Sequence, residues 1–226
     1  MQGNWINLVF VIDESSSMSP SRQDVTEGFK SVVEEQKKIK DGRVSVSLYT
    51  FASEVKTVYK AKDINEIDGI DYKPMGMTAM NDGIGFAIDD IGKWLYEKDQ
   101  KGEEMPSKTL VVVMTDGYEN SSKEYTIEQV KEKITHQTEK YSWEFVYIGM
   151  DIMSSKDADK LGIKLKAFTS KIGGFKKAYC MLNKAATNYR NASNAATGST
   201  ILYSSLAADT RGMTEEYNIA NGTNLS

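Results

Sequence analysis

Apolar positions along the chain fall into two alternating patterns. Near-continuous or two-residue apolar periodicity over 5–12, 44–51, 55–59, 109–114, 143–148 and 164–168 predicts strands. Between them, apolar residues recur at helical spacing. Val25, Phe29, Val32, Val33 and Gln36 predict a helix that ends near Lys40, capped by Ser19 with Pro20 at its first position. Ile84, Ile88, Ile91 and Leu95 predict another over 81–96. Thr126-Ile127-Glu128-Gln129 reads as a capping box that opens a helix to about Thr138. A short helix is expected near 155–161, and a last one over 175–192 with Phe175, Ala178, Tyr179, Leu182, Ala186 and Tyr189 inward. Residues 61–77 carry little periodicity and read as loop. Strand–helix alternation with one hairpin (44–51 and 55–59) predicts an α/β fold. Its sheet is doubly wound and mostly parallel, with one antiparallel edge strand and helices on both faces, a Rossmann-like arrangement.

Composition adds boundaries to that picture. At 226 residues, with 40% hydrophobic and 27% charged residues, the chain is long enough for one domain with a sizeable core. The domain is expected over 1–193. Residues 194–226, rich in small and polar types, read as a C-terminal extension, flexible or docked through Ile201-Leu202-Tyr203. Net charge is −4 and no basic stripe stands out, so nucleic acid is not an expected partner. No apolar stretch approaches the ~20 residues of a membrane span, and no membrane role is expected. The lone Cys180 and the lack of a secretion-signal pattern lead to the expectation of a cytoplasmic protein. Cys180 reads as a small packed residue, and the single His136 as a surface position. Asp82, Asp89 and Asp90 read as helix-start charge and a solvated face, and Asp151 as solvated loop.

The chemistry collects where apolar strands stop. The first run ends in Asp13, followed by Ser15 and Ser17 at i+2 and i+4. The uniformly apolar, β-branched run 109–114 leads to Asp116-Gly117. Thr78 lies in Pro74-Met75-Gly76-Met77-Thr78, on the loop entering the helix between those strands. In a doubly wound sheet, neighbouring strand ends at the switch point bring such loops together. Two carboxylates and three hydroxyls then form an all-oxygen set suited to a hard cation. Singly, each residue has a plainer reading: Ser17 or Thr78 as a helix cap, Asp116-Gly117 as a turn.

The set closely resembles the metal-ion-dependent adhesion site of von Willebrand factor type A domains. Asp13, Ser15 and Ser17 match its Asp-x-Ser-x-Ser motif, Thr78 its lone threonine after a Gly-containing turn, and Asp116 its second aspartate. The resemblance covers roughly residues 4–190 and points to compact intracellular members of bacteria, archaea and phages. It implies Mg²⁺, with Mn²⁺ or Ca²⁺ as substitutes, and a protein partner whose Asp or Glu completes the coordination. Thr78 and Asp116 would exchange direct and water-mediated roles. Glu14, Met77 and Gly117 would form the rim of the ligand site. Two positions depart from the pattern: Ser16 where glycine is common, and Met77 where a second glycine is frequent. Glu14 adds an acid beside the ion, expected either to turn into solvent or to weaken attraction for an acidic ligand. Met75, Met77 and Met80 read as an adaptable apolar rim or as core.

A binding module without enzymatic activity is the favoured function. One alternative is an Mg²⁺-dependent phosphatase-like enzyme with Asp13 as nucleophile, but Ser15 stands where its general acid belongs. Another is a structural or assembly protein with a vestigial site. No phosphate-binding glycine loop with lysine appears, and one histidine builds no hydrolase triad.

Overall fold

In the computed structural model, which describes residues 4–149, 155–168, 174–192, 198–202 and 204–205, the first apolar run is strand β1, Trp5–Asp13, buried throughout. It is followed by α1 (Arg22–Lys38), β2 (Arg43–Phe51), β3 (Val55–Asp63), α2 (Met80–Gln100), β4 (Lys108–Thr115), α3 (Ile127–Tyr141), β5 (Glu144–Gly149), α4 (Ser155–Lys160), β6 (Leu165–Phe168) and α5 (Gly174–Asn191). The sheet order is β3-β2-β1-β4-β5-β6. Among the described strands only β3 runs antiparallel, paired with β2 at one edge. The expected fold class is therefore the observed one.

Burial on both faces explains the continuous apolar runs. Leu8, Phe10 and Ile12 of β1 join the core under α1 and α5. Val9 and Val11 join the opposite core under α2, α3 and α4. Sequence period two thus feeds two cores instead of one core and solvent. Gln36 donates from α1 to Asn183 Oδ1 (2.8 Å) and Thr187 Oγ1 (2.8 Å) on α5.

The close approach of these two helices depends on Gly28. A Cβ there would lie 2.0 Å from Tyr179 Cδ2, inside a fully buried ring. Alanine gains up to ~1 kcal/mol of helix propensity over glycine, whereas overpacking a core costs ~1–3 kcal/mol. Gly28→Ala is therefore expected to destabilise the fold, read as a lower urea midpoint at unchanged m-value.

Two buried cations close helix ends against the sheet. Lys108 Nζ, at the start of β4, donates to the carbonyls of Tyr189 (2.7 Å), Arg190 (3.0 Å) and Ala192 (2.6 Å) at the end of α5. Arg190 reaches back to the carbonyls of Gln36 (3.2 Å), Ile39 (3.1 Å), Gly42 (3.1 Å) and Asp41 at the end of α1. Both satisfy carbonyls that a helix terminus or turn leaves open.

Several local expectations change. Ser16–Ser21 is a 3-10 turn containing Pro20, and Ser19 Oγ donates to Ser16 O (2.8 Å) instead of capping α1. Strand β3 extends to Asp63, and a 3-10 turn at Ile64–Glu66 follows, both within the stretch expected to be loop. The capping box is present, with Thr126 and Gln129 exchanging bonds. Cys180 is exposed, one step off the inward face of α5. Residues 198–202 and 204–205 are helical, and Leu202 is buried in the α1–α5 core. Tyr203 and Asp151 lie outside the described residues. No helix among the described residues is long and apolar enough to cross a membrane.

Candidate functional site

Parallel register sets the site. Asp13 pairs with Phe51 of β2 on one side, while Ile12 pairs with Met114 of β4 on the other. β1 sits where the crossovers part to opposite faces, so its carboxyl end opens into the switch-point crevice. Thr115 and Asp116 arrive beside Asp13 from the end of β4.

Asp13 is fully buried. Its Oδ1 accepts from Ser15 N–H (2.7 Å) and its Oδ2 from Thr115 Oγ1 (2.5 Å). The Tyr72 hydroxyl donates to its main-chain carbonyl. Ser15 Oγ and Ser17 Oγ lie 2.9 Å apart, and Ser17 Oγ donates to Asp116 Oδ1 (2.6 Å). Burial raises the Asp13 carboxyl from 3.8 to about 6, opposed by the bonds from Thr115 and Ser15 and assisted by the nearby Asp116.

Thr78 comes to the same place. A Cβ built on Gly117 would lie 3.2 Å from Thr78 Oγ1, 3.5 Å from Ser17 Oγ and 3.6 Å from Asp13 Oδ2. All three motif loops therefore converge on one small cradle that any larger residue at 117 would fill. Thr78 does not cap α2, whose N-terminal residue Ala79 has no side-chain cap bond. Its main chain is instead clamped to the third loop. Thr78 N–H donates to Asn120 Oδ1 (2.9 Å), and Asn120 N–H to Thr78 O (3.0 Å). Glu119 accepts from Asn81 N–H (2.8 Å) in the first turn of α2, and Asp82 accepts from the N–H groups of Lys123, Glu124 and Tyr125.

Sequence reasoning brings Asp13, Ser15, Ser17, Thr78 and Asp116 together, and so does the structure. It missed Thr115, Tyr72, Asn120 and Glu119, which position those five. Only Thr115 carried a local signal, as the residue before Asp116. Asp82 is buried and bonded to the third loop, not a solvated charge. Glu14 is neither in solvent nor on the rim. It is buried and turned away, accepting from Thr50 Oγ1 (3.0 Å) and Lys73 N–H (2.8 Å) and pairing with Lys56 Nζ (3.3 Å). Those bonds replace the water it gives up, which is what a buried carboxylate requires. Met75 and Met77 are exposed beside Thr78, whereas Met80 is core. His136 is exposed and packs edge-on to Tyr141.

Among the described residues, no group of three or more His, Cys, Asp or Glu gathers as a metal site. The cradle has two carboxylates, and its remaining donors are hydroxyls. Such an all-oxygen set suits a hard divalent cation and not a soft one.

Comparison with known protein families matches the von Willebrand factor type A domain over residues 7–171. The chain belongs to this family. Its members commonly act as metal-dependent protein-interaction modules. No curated protein matches the chain. Among solved structures, the proximal thread matrix protein 1 of the mussel byssus is 19% identical with a TM-score of 0.53, covering 82% of this chain and 47% of that one. The PilB minor pilin of Streptococcus sanguinis is 13% identical with a TM-score of 0.56, covering 82% and 62%. Manganese-loaded TRAP protein of Plasmodium vivax is 15% identical with a TM-score of 0.50, covering 79% and 72%. These likenesses concern the fold. The chain spans about half of the mussel protein and about three fifths of the pilin.

Proposed function

We propose that this von Willebrand factor type A domain is a non-enzymatic, cation-dependent protein-binding module. Asp13, Ser15, Ser17, Thr78 and Asp116 hold a divalent cation, Mg²⁺ by preference, with Mn²⁺ or Ca²⁺ able to replace it. The observation that carries this reading is the convergence of Thr78, Ser17 and Asp13 oxygens within 3.6 Å of a single point beside Gly117. When bound, the ion supplies an electrophilic position that a partner's Asp or Glu completes. Ser15, Ser17 and Thr78 offer neutral oxygens, and Asp13 and Asp116 supply the charge. Thr115, Asn120 and Tyr72 fix the loops from behind, as supporting residues do at cation sites. Met77 and Gly117 flank the open side.

The surroundings of Asp13 weigh against the phosphatase-like reading. An aspartyl nucleophile works with a general acid close by, and Ser15, two residues after Asp13 and hydrogen-bonded to Ser17, cannot serve as one. We take the domain to span 1–193, with 194–226 an extension anchored through the buried Leu202. The single cysteine supports a cytoplasmic setting like that of the compact intracellular members.

Titration with Mg²⁺ and Mn²⁺, followed by thermal unfolding, tests the reading. A ligand at about 100 times its Kd stabilises the native state by ~2.7 kcal/mol. Thr78→Ala should weaken cation affinity about tenfold, a loss of ~1.4 kcal/mol, with the fold intact. Absence of any cation-dependent shift in the wild type at millimolar concentration would sink the proposal.

A further inference from the structure

With Glu14 withdrawn, the flank of the cradle is apolar. Among the described residues, eight large apolar side chains are exposed, and three of them sit on the two loops carrying Thr78 and Asp116. They are Met75 (62% exposed), Met77 (53%) and Tyr118 (50%). The neighbouring Met18, Met80 and Met114 are fully buried, so the methionines around the site divide sharply between core and surface.

The loop holding the two methionines is pinned. Met75 N–H donates to Glu14 O (2.7 Å), Ser16 N–H to Gly76 O (3.1 Å), and Met77 N–H to Ser53 Oγ (3.1 Å). Gly76 between them has φ +85°, where a Cβ would also meet Ser53 Oγ at 2.8 Å. Three consecutive residues are thus fixed with both side chains held in water. An apolar surface kept exposed beside a binding cradle marks an interaction site. Unbranched, polarizable methionine adapts to more than one apolar shape.

Charge narrows the occupant. Lys56 pairs with Glu14 and Lys73 with Asp71, and Asp13 and Asp116 already place two acids in the cradle, so a run of acids gains little there. Resting on the cation reading above, we infer that the partner segment presents a single Asp or Glu with an aliphatic or aromatic residue within two positions of it. Met75, Met77 and Tyr118 take up that apolar neighbour and set specificity, while the cradle takes the carboxylate.

Calorimetry on the full chain loaded with Mn²⁺ tests this with capped peptides. The probes are Gly-Leu-Glu-Phe-Gly, Gly-Gly-Glu-Gly-Gly and Gly-Leu-Gln-Phe-Gly. The first is expected to bind at least about tenfold tighter than the second (~1.4 kcal/mol) and to lose binding with EDTA. The paired variant Met75→Ser with Met77→Ser should bring that preference to within about twofold, with Mn²⁺ affinity unchanged; Tyr118→Ser alone should reduce it in part. Equal binding of the two glutamate peptides by the wild type overturns the apolar rim and leaves the cation reading standing. Failure of every peptide to bind, or equal binding of the glutamine peptide, overturns both.

Discussion

Asp13→Asn is expected to have opposite effects with and without cation. In EDTA at pH 7.5 the variant should be more stable than the wild type. Asp13 is buried among hydroxyls with no cationic side chain bonded to it, and its carboxyl is raised from 3.8 to about 6. Holding it ionised at pH 7.5 therefore costs ~3 kcal/mol, at 1.36 kcal/mol per tenfold change in proton affinity. The isosteric amide removes that charge. Its oxygen can still accept from Ser15 N–H. Its NH₂ can donate to Thr115 Oγ1, whose own proton has Gly117 O at 3.3 Å as an alternative acceptor. The same substitution should remove the stabilisation by Mg²⁺ or Mn²⁺, ~2.7 kcal/mol at about 100 times the Kd. Urea unfolding with and without cation reads both effects. A variant that is less stable in EDTA and still stabilised by cation would contradict the assigned role of Asp13.

The pH dependence has a definite sign. The folded value of Asp13 lies above its unfolded value, so between pH 3.8 and about 6 the folded chain holds more of this proton. The group's contribution is fully present below 3.8 and is lost as pH rises to about 6, after which it is level. Glu144, also raised by burial, adds a slope of the same sign. The difference between wild type and Asp13→Asn isolates the Asp13 part, ~3 kcal/mol over the window. Saturating Mg²⁺ should offset the decline, since protons and cation compete for one carboxylate. Cation affinity should therefore fall as pH is lowered through about 6. Unfolding curves stepped from about pH 3 to about pH 7.5 in EDTA and in Mg²⁺ check this. Parallel curves for wild type and variant would be incompatible with it.

Strands and helices were readable because each is written locally. The β-branched run before Asp116 and the Thr126–Gln129 capping box needed no distant partner. The five oxygen donors were readable because each follows a strand end or opens a helix. What was not readable acts across sequence distance. Thr115 meets Asp13 over 102 residues, and Asn120 meets Thr78 over 42. Glu14 reads as a surface acid, because its three partners come from β2, β3 and the loop before Met75. Ser19 and Pro20 read as a helix start, yet the chain tightens into a 3-10 turn there to carry Ser17 toward Asp116.

The cations at the ends of α1 and α5 give the domain a mechanical character. One helical turn is 5.4 Å. Sliding α5 that far along the sheet would carry the Tyr189, Arg190 and Ala192 carbonyls away from Lys108, and Arg190 away from the end of α1. Two charges would then stand in the interior without acceptors, a penalty of several kcal/mol. Together with the bonds from Gln36 to Asn183 and Thr187, these contacts oppose a one-turn slide of α5. The far side of the sheet is a rigid anvil for the cradle.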